Sequence, residues 1–546
     1  MRAASTGRSE RQPETARLPW WKTASVYQIY PLSFQDSNGD GFGDLPGLLS
    51  RVDYLADLGI GAVWLSPIYR SPMADFGYDV SDFTDVDPLF GTLDDFDRLV
   101  DALHRRSIRL LLDFIPNHTS IEHPWFAESR ASRSNPKRDW YVWHDPAPDG
   151  GPPSNWLSRF GGSAWELDPQ TGQYYYHAFL KEQPDLNWHN PRVREAMADV
   201  LRFWMRRGVD GFRVDASAVL AEDPLCRDDP PNPDFDEKTP PPERFKRVYT
   251  DGRPETLEYL SELRRVVDAF PGRILAGEVQ GSSDRIGRFY GTRKPRFQLP
   301  LNYVLLDTAW DPHSIAAAID RYLNAIPDRA WPDWAIGGHD KKRIASRLGP
   351  QQARNAAMLL FTLPGTPFFY AGDELGMTGV PVPSGEARDP FERLVPGYGL
   401  NRDPERAPMR WDAGPNAGFT SGKPWLPVGE GVETHNVSVE RRDPGSMLNL
   451  YRSLIALRRT EPTLIAGRYQ PLRCHDGVLL FKRCGELDLL IALNLSHAER
   501  RCEIGGRGEV RLSTRLDRSE ALDGTVHLRP DEGVVIALER AEGGHA

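Results

Sequence analysis

Short apolar runs alternate with helical patterns along most of the chain from Ser25 onwards, and this alternation restricts the fold most strongly. The runs SVYQIYPLSF, AVWLSPI and RLLLDFIPNH are typical of parallel strands buried on both faces. Between them, PGLLSRVDYLADLG and TLDDFDRLVDALHRRS carry apolar residues at helical spacing, with Gly59 ending the first helix and Thr92 as the N-cap of the second. Eight such units predict an α/β fold, a (β/α)8 TIM barrel.

Two segments interrupt the alternation, and a third follows it. Residues 119–189 are rich in Trp, Pro, Gly and Asn, show no helical period, and predict an irregular inserted domain after strand three. Residues 221–255, rich in Pro and acids, predict an insertion or lid at the barrel rim after strand four. Helices stop near Pro462, and GVLLFKR, LDLLIALNL and GVVIALER indicate an all-β domain. The predicted domains are a mobile N-terminal tail (1–19), the barrel (20–118 and 190–464), the inserted domain (119–189) and a C-terminal β domain (465–546).

Charge and cysteine content exclude several classes of protein. A net charge of −10 disfavours nucleic acid or an anionic membrane as partner. The four cysteines are scattered, so neither a disulfide framework nor a cysteine metal site is expected. The N-terminal residues lack the apolar core of a secretory signal, and no run of 18 apolar residues occurs. We therefore expect a cytoplasmic monomer or homodimer without an organic cofactor.

Polar residues follow the predicted strands where a barrel of this type carries its reacting groups. These residues are Tyr78, Asp79, Asn117, His118, Arg213, Asp215, Glu278, His339 and Asp340. Each alone has a structural explanation, as a helix cap or a buried histidine. Their convergence on one mouth of the barrel indicates an active site.

The spacing of two of these residues suggests a nucleophile. Arg213 and Asp215 are two apart on a strand, so their side chains share a face, and the guanidinium favours the ionised carboxylate. Glu278, on the next strand, would donate a proton if burial raised its pKa towards neutrality. Two carboxyls in unlike environments, about 5 Å apart, are the arrangement for glycoside hydrolysis with retention.

Four segments, DFIPNH (113–118), GFRVDAS (211–217), AGEV (276–279) and GGHD (337–340), resemble glycoside hydrolase family 13, the α-amylase family. The resemblance runs from Trp20 into the C-terminal domain. It implies that Asp215 is the nucleophile, Glu278 the acid/base and Asp340 the transition-state stabiliser. It also implies substrate-binding roles, which fall on Tyr78, Asp79, His118, Phe160, Arg213, His339 and Arg402.

Two further segments resemble the oligo-1,6-glucosidase and α-glucosidase group, namely QPDLNW (183–188) and NRDPERAPMRW (401–411). By this resemblance, Arg402 pairs with Asp79 and closes the pocket. The expected activity is that of an exo-acting retaining α-glucosidase on short oligosaccharides or α-glucosides. Two positions depart from related sequences: Gly338 replaces the usual Asn, and the small Ala216 resembles members that prefer α-1,4 bonds.

The segment DSNGDGFGD (36–44) has the spacing of a cation-binding loop. Asp36, Asn38, Asp40, the Phe42 carbonyl and Asp44 match alternate ligand positions of an EF-hand loop, with Gly41 at the sharp turn. Position 12 is Gly47, so an EF-hand helix pair is excluded. Related glucosidases bind Ca²⁺ or Mg²⁺ here, far from the reacting bond. The alternative is a metal-free loop of Asx turns.

Other activities use the same residues. Glucosyl transfer, sucrose or maltose isomerisation (as in trehalose synthase) and hydrolysis of a phosphorylated disaccharide share the glucosyl-enzyme intermediate, and the sequence does not separate them. A non-catalytic binding protein, such as the amylase-like ectodomain of amino-acid transporter heavy chains, would predict a transmembrane helix and lost carboxylates. The sequence shows neither.

Overall fold

The computed structural model describes residues 18–474 and 476–539. The predicted N-terminal tail lies outside this range except for residues 18 and 19, as do residues 540–546 of the predicted β domain. Eight parallel strands form the barrel: β1 Val26–Ile29, β2 Ala62–Leu65, β3 Arg109–Phe114, β4 Gly211–Val214, β5 Ile274–Glu278, β6 Leu299–Leu301, β7 Asp333–Ala335 and β8 Thr366–Tyr370. Neighbours in the chain are neighbours in the sheet, β8 pairs with β1, and the Ala335 N–H donates to the Asn302 carbonyl between β7 and β6. The predicted TIM barrel is confirmed.

Helices surround the barrel, and local capping defines their ends. The main ones are Leu45–Ser50, Val52–Leu58, Leu93–Arg105, Pro191–Arg206, Pro254–Asp268, Ser283–Tyr290, Pro312–Ala325, Ile344–Thr362 and Met447–Thr460. Thr92 caps Leu93–Arg105 in a reciprocal capping box with Asp95, as its position predicted. Gly59 ends Val52–Leu58 at φ 86°, a left-handed conformation that favours glycine. Small and apolar side chains, among them Val26, Trp64, Leu111 and Ala276, pack together inside the barrel.

Several local predictions were wrong. The helix expected over residues 46–59 is two helices that meet at Arg51. Helix Ser283–Tyr290 was not predicted, because its eight residues are too few and too polar to show a clear period. Residues 119–189 contain helix Pro124–Ala131 and a three-stranded antiparallel sheet, Trp143–His144, Trp165–Asp168 and Gln173–Tyr176. These strands are too short for alternation to reveal them, and packing among Trp156, Trp165 and Tyr176 holds them in place.

A six-stranded antiparallel sheet follows the barrel. Its order is Arg468–Pro471, Val478–Cys484, Leu489–Asn494, Gly533–Leu538, Arg500–Ser513 and Ala521–Leu528. The all-β prediction is confirmed, and its three apolar strands were identified. The other three were missed, because Arg500–Ser513 carries many charged residues and neither Arg468–Pro471 nor Ala521–Leu528 has a continuous apolar run. Helix Pro462–Ala466 also extends beyond the predicted end of the helices. Within the described ranges, every helix is too short or too polar to span a bilayer.

Candidate active site

Arg213 lies at the centre of a cluster of carboxylates at the C-terminal mouth of the barrel. Its Nη1 donates to Asp113 at 2.9 Å and to Asp215 at 2.6 Å, and its Nη2 is 2.9 Å from Glu278. Asp113 lies opposite Arg213 in the pairing of β3 with β4, Asp215 follows β4, and Glu278 is the last residue of β5. Three adjacent strands therefore deliver three carboxylates to one buried guanidinium.

The electrostatic environment of Asp215 combines opposing effects. Burial raises the pKa of Asp215 well above its usual value, Arg213 acts in the opposite direction, and the nearby carboxyl of Glu278 raises the pKa further. Arg213 thus favours the ionised form of Asp215, as its spacing predicted, and opposes the effect of burial. The next residue, Ala216, has φ 46°, which is strained for a residue with a Cβ, and its N–H lies 3.4 Å from the Glu278 carboxylate.

His339 and Asp340 form a second polar group beside this cluster. The Gln28 amide donates to His339 Nδ1 at 2.6 Å, which leaves the ring proton on Nε2, near the Tyr78 hydroxyl oxygen at 3.0 Å. Burial lowers the pKa of His339 to about 3, so its imidazole is neutral at neutral pH. Burial also disfavours the charge of Asp340, but contacts with His339, Arg402 and Arg406 hold its pKa well below the usual range. Because His339 is neutral, the two guanidiniums are the charges that keep Asp340 ionised.

The predicted pairing of Arg402 with Asp79 is wrong. The Arg402 guanidinium binds Asp75 at 2.9 Å and Asp389 at 2.8 Å, and lies 3.4 Å from Asp340. Asp79 is buried in its own turn, where its carboxylate accepts from the N–H groups of Ala74 and Asp75. The chain turns within DFGYD so that the first aspartate, rather than the second, reaches Arg402.

A cavity of about 940 Å³ opens over these groups. Of the predicted site residues, Tyr78, His118, Phe160, Asp215, Glu278, Asp340 and Arg402 line it. Arg213 and His339 lie behind this surface, and Asp79 does not reach it. The inserted segment 119–189 contributes Arg159, Phe160 and Phe179 to the wall, and residues 221–255 contribute a further group from Pro240 to Asp251. Both segments inserted into the barrel therefore shape the entrance to the cavity.

Five polar residues of the site escaped the sequence prediction. They are Gln28, Asp75, Asp113, Asp389 and Arg406, whose Nη2 binds Asp340 at 2.5 Å. Asp75, Asp113 and Arg406 stand inside or beside segments that resemble the family, so a residue-by-residue comparison would have found them. Gln28 lies on β1 inside an apolar run, and Asp389 lies in a loop without periodicity.

Gly338 lies beside an unpaired polar atom of the site. A Cβ at position 338 would lie 3.4 Å from Gln28 Oε1, and this oxygen is buried without a hydrogen-bond partner among the described residues. His339 contacts Gln28, and Asp340 contacts Arg402 and Arg406. The glycine therefore does not keep the histidine or the acid out of the site.

The loop at residues 36–44 has the turns expected of it. Asp36 accepts from the N–H groups of Asn38 and Gly39, Asn38 from Asp40, and Asp40 from Phe42, all at 2.8 Å. Gly41 has φ 94°, and a Cβ there would collide with the Lys423 carbonyl. Asp44 caps helix Leu45–Ser50. In the described part of the chain no three His, Cys, Asp or Glu side chains form a cluster that could hold a metal ion. The predicted site, which also uses Asn38 and the Phe42 carbonyl, stays a prediction.

A (β/α)8 barrel that holds two carboxylates on one guanidinium at its C-terminal mouth has the layout of a retaining glycoside hydrolase. The protein-family model of the alpha-amylase catalytic domain matches residues 28–467 of this chain. The chain is 42% identical to a probable alpha-glucosidase of Rhizobium meliloti (strain 1021), over 85% of this chain and 87% of the relative. It is 38% identical to an oligo-1,6-glucosidase of Parageobacillus thermoglucosidasius, over 87% and 90% respectively.

Solved structures agree with these sequence relatives. The crystal structure of an alpha-glucosyl transfer enzyme, XgtA, superposes with a TM-score of 0.90 at 39% identity, covering 96% of this chain and all of that one. The chain belongs to the alpha-amylase family, glycoside hydrolase family 13, and is a glycoside hydrolase.

Proposed function

We propose that this protein is an exo-acting retaining α-glucosidase that removes terminal α-1,4-linked glucose from short oligosaccharides or α-glucosides. The observation that carries the proposal is the shared contact of Arg213 with Asp215 and Glu278. One guanidinium keeps the two carboxylates close, which double displacement requires. The alpha-glucosidase and oligo-1,6-glucosidase relatives support the choice of α-glucosides.

In the proposed reaction, Asp215 attacks the anomeric carbon while Glu278 protonates the departing glycosidic oxygen. The glucosyl-enzyme is then hydrolysed by water, from which Glu278 removes a proton. Asp340, ionised beside Arg402 and Arg406, stabilises the positive charge that develops on the sugar ring.

Exo-action is supported by the surroundings of Arg402. Three carboxylates bind its guanidinium, and the stacked rings of Phe160 and Phe391 lie 5.4 and 5.0 Å from it. A side chain fixed in this way forms a wall beyond the first glucose and leaves no path for a continuing polymer. Ala216, small and beside the nucleophile, supports the α-1,4 preference by resemblance.

The product and its configuration test the proposal. Maltose should be cleaved well, isomaltose less well and starch hardly at all, and NMR of fresh product should show α-glucose first, because two inversions restore the configuration. Early β-glucose would contradict the mechanism, and rapid loss of starch viscosity would contradict exo-action.

Glucosyl transfer is the second candidate, supported by the similarity to the alpha-glucosyl transfer enzyme. It uses the same intermediate but passes glucose to a sugar or alcohol. The same NMR experiment at high maltose concentration separates the two, since transfer yields trisaccharides and hydrolysis yields only glucose.

We also propose a structural Ca²⁺ or Mg²⁺ in the loop at residues 36–44. The Asx turns supply hard oxygen donors, but Asp36, Asp40 and Asp44 would have to move together around a cation.

We further propose a cytoplasmic location. The four cysteines are all unpaired, which supports a reducing compartment.

A further inference from the structure

The outer wall of the active-site cavity differs in charge from its base. The base is acidic, since Asp75, Asp215, Glu278 and Asp340 surround it. The rest of the lining carries six cationic side chains and only three carboxylates. The cations are Arg159, Lys246, Arg247, Arg285, Lys341 and Lys342, and the carboxylates are Glu243, Asp251 and Glu405. A protein of net charge −10 thus concentrates positive charge where the substrate beyond the first glucose would lie.

Ion pairs neutralise this wall only in part. Lys246 binds Asp234, outside the cavity lining, at 3.1 Å. Asp251 binds Arg285 at 2.5 Å and lies 3.7 Å from Arg159, so one carboxylate faces two guanidiniums. Arg247 donates to the Pro242 carbonyl at 2.7 Å and makes no salt bridge to a carboxylate within residues 18–474 and 476–539. Lys341, next to Asp340, likewise makes no salt bridge within these ranges. Burial, with the charge of Arg159 added, lowers the pKa of Arg247 to about 10, and the nearby carboxylates of Asp251 and Glu243 act in the opposite direction.

We propose that this wall binds an anionic group, a carboxylate or a phosphate, on the leaving group of the substrate or on the acceptor of transferred glucose. Arg159 and Arg247 carry planar guanidinium groups that can donate two parallel hydrogen bonds to either anion, and Lys341 adds an ammonium group on a flexible side chain. The inference rests on the proposed α-glucosidase activity and adds to it a preference for charged α-glucosides over neutral ones of the same shape. Neutral sugars would leave the surplus charge unpaired.

A matched pair of substrates tests the inference. The anionic 4-carboxyphenyl α-glucoside should be cleaved with a kcat/KM roughly tenfold higher than that for the neutral 4-carbamoylphenyl α-glucoside, which is the worth of one charge-assisted hydrogen bond. Added salt should reduce this ratio. A ratio of one or less overturns the inference while leaving the α-glucosidase proposal intact; failure to cleave either compound contradicts the proposed function itself.

Variants assign the effect to the wall. Arg247→Gln and, separately, Lys341→Gln should each lower the ratio of kcat/KM for the anionic substrate to that for the neutral one several-fold. Lys341 is half-exposed, so its variant serves as the test if the loss of Arg247 disturbs folding. Arg244→Gln removes an exposed charge from the same segment outside the cavity and should leave the ratio unchanged. Equal ratios in all variants and wild type overturn the inference.

Inhibition distinguishes the two anions. Phenyl phosphate and benzoate, which carry their charge where the leaving group lies, are compared with uncharged benzamide as inhibitors of 4-nitrophenyl α-glucoside hydrolysis. Stronger inhibition by the first indicates a phosphate site, and by the second a carboxylate site. If neither inhibits better than benzamide, the wall does not select an anion and the inference is wrong.

Discussion

Arg213 shows how one residue sets the chemistry of the site. Its buried guanidinium contacts Asp113, Asp215 and Glu278, and the Trp64 ring lies 5.0 Å from it. Burying a cation is costly unless partners compensate, and here three carboxylates do so. The same contacts that make Arg213 tolerable in the barrel therefore position the two reacting carboxylates.

Removing the proton donor should abolish most activity without loss of fold. Glu278→Gln keeps the shape of the side chain but cannot protonate a leaving group, so kcat/KM for maltose should fall roughly 10²–10⁴-fold. With 4-nitrophenyl α-glucoside, whose leaving group needs little protonation, the loss should be smaller. Glu258→Gln, on an exposed helical position, is the control, and equal losses for both substrates would argue against the acid role.

Ala216 permits a test of linkage preference. Its φ of 46° disfavours a β-branched residue, so Ala216→Val should lower the free energy of unfolding by about 1 kcal/mol. The larger side chain in the cavity should also lower the ratio of maltose to isomaltose cleavage. Steady-state rates on both disaccharides measure the ratio, and an unchanged value would remove Ala216 as a specificity residue.

At the scale of elements, the junction between the inserted segment and the barrel is held by a buried acid. The Asp185 carboxylate accepts from the Ala178 N–H and the Asn117 amide, and burial raises its pKa to about 8. A carboxyl whose pKa is raised on folding contributes stability below its unfolded pKa, and this contribution is lost as pH rises towards 8.

Asp185→Asn should therefore flatten the pH dependence of stability. The Asn117 Oδ1 has no described partner, so a flip of the Asn117 amide could accept from the amide that the substitution introduces at position 185. Between pH 5 and pH 8, the free energy of unfolding should decline by about 1–3 kcal/mol less in the variant than in wild type. Parallel declines, measured by urea denaturation, would mean that Asp185 does not carry the effect.

The loop at residues 36–44 is an element whose stability should depend on a cation. If Ca²⁺ or Mg²⁺ binds only the folded loop, EDTA should lower Tm by mass action, and excess Ca²⁺ or Mg²⁺ should restore it. The rate on maltose at temperatures well below Tm should not change. Unaltered melting in EDTA, with no metal by elemental analysis, would favour the metal-free Asx-turn alternative.

At the scale of the whole molecule, one buried arginine joins the C-terminal sheet to the barrel, and a second buried arginine lies beside it. Arg483, on strand Val478–Cys484, donates to the carbonyls of Thr362, Leu464 and Gly467 at 2.6–2.8 Å. Arg458 donates to carbonyls of the Phe361–Gly365 segment and of Leu464. Neither has a carboxylate partner among the described residues, so carbonyl dipoles alone compensate their charge.

Loss of Arg483 should weaken this interface. Arg483→Met keeps much of the volume but leaves the carbonyls of Thr362 and Gly467 without their side-chain donor, each worth about 1–3 kcal/mol, so Tm should fall. The variant no longer buries the charge of Arg483, and this gain in stability offsets only part of the loss of hydrogen bonds. Arg501→Met, on an exposed position of another strand of the same sheet, should leave Tm unchanged, and equal melting of both variants would contradict the assigned role.

The barrel and the position of its reactive residues were predictable from the chain. Apolar runs at regular intervals restrict the sheet to parallel pairing of sequential strands, and that order alone brings Arg213, Asp215 and Glu278 to one mouth. The helix ends predicted at Thr92 and Gly59 were also confirmed, because capping depends on residues that are close in the sequence. These features depend on contacts between neighbours in the sequence or in the sheet.

The loops required the tertiary structure. Arg402 meets Asp75 across 327 positions, and no periodicity indicates which carboxylate of DFGYD turns towards it or that Asp389 joins them. The balance of charge on the cavity wall likewise arises in part from segments 119–189 and 221–255, which pack against one another. Long loops have no repeating backbone pattern, so only the compact molecule determines which of their side chains meet.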